Sequence, residues 1–159
     1  LTKFMNENPD IGHAMPLVRY PNGNIQYLAK QLPSPFDLFA RRFMPKSWFK
    51  NRTAKFENHA FYQNHNYKSQ LLDVPYLSGC FMFLRCDALR KVGLFDPRFF
   101  MYPEDIDLTR RIHQLYRTVM YPAVEITHNH AQSSYHSFRL LWIHITNMIK
   151  YFCKWGFFR

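Results

Sequence analysis

Cysteine is scarce: Cys80, Cys86 and Cys153 are the three in 159 residues, and their spacing matches no metal motif. So sparse and odd a set of thiols excludes a disulfide framework and fits a reducing compartment, so a cytoplasmic location is expected. A long apolar run is also missing. The longest stretch, around 140–152, is interrupted by His144, Thr146, Asn147 and Lys150, short of the roughly 18 to 20 apolar residues of a membrane-spanning helix. No signal-peptide pattern opens the chain, no internal repeat is visible, and no helix-turn-helix, zinc-finger or RNP-like motif occurs. Acidic residues are few, 11 against 21 Lys plus Arg, giving a net charge of +10. That deficit predicts attraction to an anionic partner, with nucleic acid, anionic lipid and nucleotide phosphates all qualifying.

Apolar side chains are plentiful. Hydrophobic residues make up 47% and aromatics 18%, with 16 Phe and 10 Tyr, enough to offset chain entropy and to exclude disorder. The length suits one domain or a piece of one. Because the first residue is Leu1 and the sequence begins in mid-pattern, a fragment lacking whatever precedes it is expected.

Residues 11–30 read as a hairpin, with the extended run Ala14–Val18, a turn at Pro21-Asn22-Gly23-Asn24, and a return strand from Ile25 to Leu28. Residues 32–72 look like an irregular basic insertion with one or two short helices, mixing Pro33, Pro35 and Pro45 with Arg41, Arg42, Lys46, Lys50, Arg52 and Lys55. Val74–Arg85 is a continuous apolar run long enough for a buried strand. A short helix follows, with Asp87 as N-cap and Gly93 as its stop. The next helix starts near Pro103, carries Glu104, Asp105 and Asp107 in its first turn, where acids complement the helix dipole, and has Arg110 and Arg111 later. Val119–His128 reads as one or two short strands broken at Pro122. From 137 to 159 an amphipathic helix is expected, with Phe138, Leu141, Trp142, Ile145, Met148, Ile149 and Phe152 at helical spacing. The class is α/β, or α+β if the sheet is mixed.

On a helical wheel Glu104, Leu108, Ile112 and Leu115 form one stripe, with Asp105 near its edge and Asp107 well off it. A carboxylate at the N-terminal edge of a core-facing stripe lies at a pocket mouth, where the dipole helps keep it ionised, and this suits a general base. The plainer alternative is that the acids decorate a first turn and pair with Arg110 or Arg111.

Ser78-Gly79-Cys80, the segment Arg85–Asp96, then Phe99–Leu108 and Arg111, followed by Met120-Tyr121-Pro122 and His128, together resemble the C-terminal, acceptor-side half of a family 2 glycosyltransferase of the GT-A type. The likeness runs continuously over about residues 74 to 136. Ile11–Leu28 resembles the segment after the nucleotide-binding half in capsule and O-antigen sugar transferases. The stretch from His128 into the Trp-bearing helix is similar to the rhamnosyltransferase branch. The resemblance implies an incomplete GT-A fold, with 1–136 the acceptor-side part of the catalytic domain and 137–159 the C-terminal helix. It implies an inverting, hexosyl-type transfer from a nucleotide-diphosphate sugar to a saccharide or lipid-linked acceptor, with Mg or Mn as divalent cation. The second acid of the family's pair, the catalytic base, falls on Asp105, and Glu104 matches the acid that positions the acceptor. His128 matches a histidine that completes the metal site in some members. Ser78, Gly79, Asp107 and Arg111 are substrate-binding candidates. No Asp-x-Asp precedes Ser78, so the other metal ligands and the nucleotide-binding half are expected upstream, and the 159 residues alone are expected to be inactive.

Other readings compete. His128 and His130, two apart on an expected strand, make half a metal site at most, and Cys80 and Cys86 read as buried strand-end thiols. The last helix, with Trp142 and Trp155 among Arg139, Lys150, Lys154 and Arg159, packs on the core and could also touch the inner membrane face. A basic module binding nucleic acid or an anionic membrane surface, built on Arg41–Lys55 with Phe43, Trp48 and Phe49, is the rival, although nucleic acid is not the expected partner. A glycosidase is disfavoured because Glu104 and Asp105 are adjacent, whereas its two carboxyls must flank a bond about 5 Å or more apart.

Overall fold

The computed structural model describes residues 1–35, 67–129 and 138–157. The bulk of the expected basic insertion, including Arg41–Lys55, and His130 lie outside them. Among the described residues the elements follow in this order: α1 (Thr2–Glu7), β1 (Ile11–Arg19), β2 (Ile25–Gln26), β3 (Ala29–Lys30), β4 (Leu72–Asp73), β5 (Tyr76–Leu77), β6 (Phe83–Leu84), α2 (Cys86–Val92), α3 (Glu104–His113), β7 (Arg117–Thr127) and α4 (Phe138–Trp155). The class is mixed α/β, as read.

β1 is the centre. It pairs in parallel with β7 along its length and antiparallel with β2 and β6, while β4 pairs antiparallel with β7. Eight of its nine residues are buried, the mark of a strand covered on both faces. The expected hairpin forms between β1 and β2, with Gly23 at φ 83° in the turn and Val18 opposite Gln26. The return strand is shorter than expected because Ala29–Lys30 leaves to pair with Tyr76–Leu77 in a separate two-stranded sheet.

Three local expectations are corrected. Val74–Arg85 is not one strand. It is split into β5 and β6 around 78–82, where the Gly79 N–H goes to a side chain on α3 instead of a ladder partner. β7 is one strand and not two: Pro122 sits in a bulge, where the register jumps from Pro16 opposite Tyr121 to Leu17 opposite Glu125, so no ladder donor is asked of the proline. Asp87 is not the cap of α2, since Arg85 takes that position and Asp87 pairs with Arg90 in the exposed first turn. Gly93 does end α2, at φ 81° with its N–H on Leu89 O.

The core is divided among the sheet and its helices. Met15, Leu17, Tyr67, Leu72, Val74 and Leu77 pack on one side, so the end of the expected insertion, Tyr67 and Leu72, belongs to the core. Leu108 and Ile112 of α3 pack with Ala88 of α2, and Ile106 packs with Met148, Tyr151 and Phe152 of α4. Leu115, expected in the α3 stripe, is exposed because the helix ends at His113. Cys86 and Cys153 are exposed and Cys80 half-buried, all three free, so the buried-thiol expectation fails for Cys86: it opens α2 on its solvent side. Among the described residues no helix is long and apolar enough to cross a membrane.

Candidate active site

The site is built where α3 begins. Pro103 stands immediately before the helix, and its carbonyl accepts the Asp107 N–H at 2.8 Å. The preceding residue, Tyr102, has φ 82°, a left-handed conformation that costs a non-glycine residue about 1 kcal/mol or more. It is fastened by the stacking of its ring on His144 of α4, 4.4 Å between centroids. Beside it Asn147 Nδ2 donates to Met101 O at 3.0 Å. α4 therefore holds the segment that aims the acids.

Asp105 lies beneath the 78–82 loop and is 9% exposed. Its Oδ2 accepts the Gly79 N–H at 2.7 Å and the Tyr76 hydroxyl at 3.3 Å, and its Oδ1 accepts the Ile106 N–H at 2.7 Å. No arginine or lysine is ion-paired with it among the described residues. Burial pushes its carboxyl up to about 6; the Gly79 N–H pulls the other way, the neighbouring Glu104 adds to the rise, and the Ile106 N–H and Lys30 charge oppose it. Such a group is ionised at neutral pH yet basic enough to take a proton. Glu104 is half-buried, its carboxyl is also raised by burial, and its Oε2 is buried with no hydrogen-bond partner among the described residues. Two adjacent carboxyls, one lightly tethered and one with an idle oxygen, can accept and orient a hydroxyl.

Asp107 does something else. It is fully buried, against the expectation from the wheel, because α4 covers the side of α3 opposite the sheet. Its Oδ2 meets Arg111 Nε at 2.9 Å, and its Oδ1 accepts Trp155 Nε1–H at 2.8 Å and meets Lys154 Nζ at 2.7 Å. Arg111 also donates to the carbonyls of Val92, Gly93 and Leu94. Both candidates are thus engaged in holding α2, α3 and α4 together. The plainer alternative holds for Asp107 and not for Asp105. Arg110 pairs with neither, lying 4.0 Å over the Trp155 ring and donating to the Tyr151 hydroxyl.

Of the remaining candidates, Ser78 is half-buried with its N–H on Leu28 O, and Gly79 is exposed directly over Asp105. A Cβ at Gly79 would stand 3.0 Å from Asp105 Cβ, so any larger residue would have to push the loop or the carboxylate aside. His128 lies just past β7 with Nδ1 3.2 Å from Gln26 Oε1. Among the described residues no three His, Cys, Asp or Glu side chains cluster as metal ligands, so these residues do not by themselves form a cation site. Tyr76 and Lys30 belong to the surroundings of Asp105 and escaped the sequence reading. They sit on the β3–β5 pair, and the 29-residue separation of Tyr76 from Asp105 gives no periodic signal.

What the fold and site define is a mixed α/β protein with two adjacent carboxyls at a helix start, neither of them ion-paired among the described residues. No family model matches the chain and no solved structure matches it. It is similar to a curated protein of Mycobacterium tuberculosis (strain CDC 1551 / Oshkosh) named N-acetylglucosaminyl-diphospho-decaprenol L-rhamnosyltransferase, 31% identical over 127 residues, covering 79% of this chain and 40% of the relative. The same-named protein of strain ATCC 25618 / H37Rv matches with the same figures. The chain spans about two-fifths of the length of the curated relatives it matches.

Proposed function

We propose that this chain is the acceptor-side portion of a family 2, GT-A glycosyltransferase. In the complete protein it would move a sugar, with inversion, from a nucleotide-diphosphate donor to a saccharide carried on a lipid, in surface-polysaccharide assembly of the capsule or O-antigen type. The observation that carries the reading is Asp105: a buried carboxylate tuned to about 6, held by backbone N–H and phenol donors and, among the described residues, by no ion pair. The similarity to the two rhamnosyltransferases supports the reaction class and a diphospho-polyprenol acceptor.

Asp105 acts as general base. It takes the proton from the acceptor hydroxyl as that oxygen forms its bond to the anomeric carbon, while the nucleotide diphosphate leaves with the electrons of the breaking bond. Glu104, whose buried Oε2 lacks a partner among the described residues, orients the same hydroxyl. Gly79 and Ser78 form the loop over the base, and the Gly79 N–H keeps its carboxylate aimed. A divalent cation, Mg or Mn, would neutralise charge on the leaving diphosphate. It belongs to this reading as a group held chiefly outside the described residues, with His128 as the contribution of this chain. The site of action is the cytoplasm or the inner face of the cell membrane.

In the complete enzyme Asp105→Asn is expected to lower kcat by about a hundredfold or more, the usual range for a lost general base, with donor Kd within about twofold. Single-turnover kinetics with a radiolabelled donor and calorimetric donor titration check both. Unchanged turnover would refute the assignment.

A further inference from the structure

α4 is apolar on two faces, and one of them is covered. The covered face carries Asn147, Met148, Tyr151 and Phe152. Phe138, Trp142 and Ile149 are 92%, 68% and 50% exposed, and at about 100° per residue they fall within about 40° of one another, roughly opposite Asn147 and Tyr151. A helix that only had to pack on the core would carry polar residues there.

The loop alongside adds Leu94, Phe95 and Phe100, all exposed. It is tied to α4 by the Lys154–Asp96 ion pair at 2.9 Å and by Lys150 Nζ donating to Arg98 O at 3.3 Å. Among the described residues, every exposed large apolar side chain except Leu115 lies on this loop or on α4 and its tail. Such a concentration marks an interaction surface.

Charge selects the occupant. Residues 138–155 contain no Asp or Glu, and Arg139 and Lys150 stand exposed on the flank of the apolar stripe. The loop's one acid, Asp96, is already paired with Arg98 and Lys154. A second copy of the chain would bring cations against cations. An anionic bilayer offers apolar depth for Trp142 and Ile149 together with opposite charge for the bases.

We propose that the exposed face of α4, with the 94–100 loop, docks on an anionic lipid bilayer. The docking deepens the transfer reading, and rests on it in assigning the acceptor's lipid tail to that same bilayer. The same elements hold the candidate base. His144 stacks on Tyr102, and Lys154 and Trp155 bind Asp107, two residues beyond Asp105 on α3, so docking through α4 would fix the orientation of the helix that carries Asp105 relative to the bilayer.

Co-sedimentation of the full chain with neutral phosphatidylcholine vesicles and with mixed phosphatidylcholine–phosphatidylglycerol vesicles tests this without donor or acceptor. Binding is expected with the mixed vesicles and to weaken with salt. The double variant Trp142→Ser, Ile149→Ser should lose about tenfold in affinity or more, and Arg139→Gln, Lys150→Gln about thirtyfold at low salt. All four positions are exposed, and an unchanged unfolding midpoint confirms that folding is intact. Equal binding to neutral vesicles, or wild-type binding by both variants, overturns the proposal. So does a dimer in sedimentation velocity that Trp142→Ser, Ile149→Ser converts to monomer, which would make this face a protein interface. A complete enzyme that docks but transfers no sugar counts against the transfer reading alone, and one that transfers without docking counts against this inference alone.

Discussion

Asp105 and Asp107 are the same residue type, two positions apart in the first turn of one helix, and both are buried. One faces the loop after β5 and the other faces α4. Asp107 meets two cations and an indole N–H, whereas Asp105 meets two backbone N–H groups and a phenol. The first arrangement spends both carboxylate oxygens on holding three helices together, and the second leaves a raised carboxyl with no cation on it among the described residues. The difference separates a structural acid from the proposed base more firmly than burial does, since burial is common to both.

The largest effect is expected at the structural acid. Asp107→Ala removes the acceptor of Trp155 and leaves Arg111 and Lys154, both mostly buried, without a counter-charge that they share. Breaking a buried ion pair from one side costs about 3 to 5 kcal/mol. Asp107→Asn, which can still accept the indole N–H, should cost clearly less. Urea unfolding of the two variants checks the order, and a loss below about 1 kcal/mol for the alanine would mean that the network around Asp107 contributes little.

The next effect sharpens the contrast through pH. The folded-state pKa of Asp105, about 6, is raised above its ordinary value near 3.8. The folded chain therefore holds this proton more tightly than the unfolded chain. The stability it contributes is full below about 3.8 and is lost as pH rises through 6. A shift of about two units corresponds to about 3 kcal/mol as an upper figure. Asp105→Asn removes this dependence, so the variant should gain on the wild type between about pH 4 and 7 by up to that amount. His13, buried and pushed down to about 3 by desolvation, acts with the opposite sign: its contribution is full above about 6.5 and lost as pH falls toward 3. Both proteins carry it, so it cancels in the difference. Urea midpoints measured across the range give that difference, and a flat line would mean that burial does not raise the Asp105 carboxyl in the folded chain.

The sequence made half of this contrast visible. A proline followed by three acids announces a helix start, and wheel geometry puts Asp105 near the core-facing edge. The burial of Asp107 was hidden because its cover, α4, comes 48 residues later at Trp155, and no period within α3 encodes a partner on its other side. The break at 78–82 was hidden for a related reason: an apolar run reads as strand unless one knows that a distant carboxylate claims the Gly79 N–H. The β7 bulge shows the converse, since Pro122 correctly marked an irregularity but the parallel pairing with β1 carried the strand past it.

The smallest predicted effect isolates the loop side of the contrast. Gly79 has no left-handed backbone requirement; what it supplies is nearness, because a Cβ would press on Asp105 Cβ at 3.0 Å and Oδ2 at 3.2 Å. Gly79→Ala must therefore push the loop or the carboxylate aside, at about 1 to 2 kcal/mol, and stretch the 2.7 Å hydrogen bond that favours the charged form. Losing that donor raises the Asp105 pKa further, so the acid limb of the transfer rate should move to higher pH in the complete enzyme. Gly93→Ala is the matched control. It costs a similar amount through its φ of 81°, where the added Cβ meets nothing closer than Arg111 Nη1 at 3.7 Å, and it leaves the acid limb where it was. If both alanines destabilise equally and neither moves the limb, then the Gly79 N–H does not tune Asp105, and the distinction between the two acids rests only on Asp105 having no ion pair among the described residues.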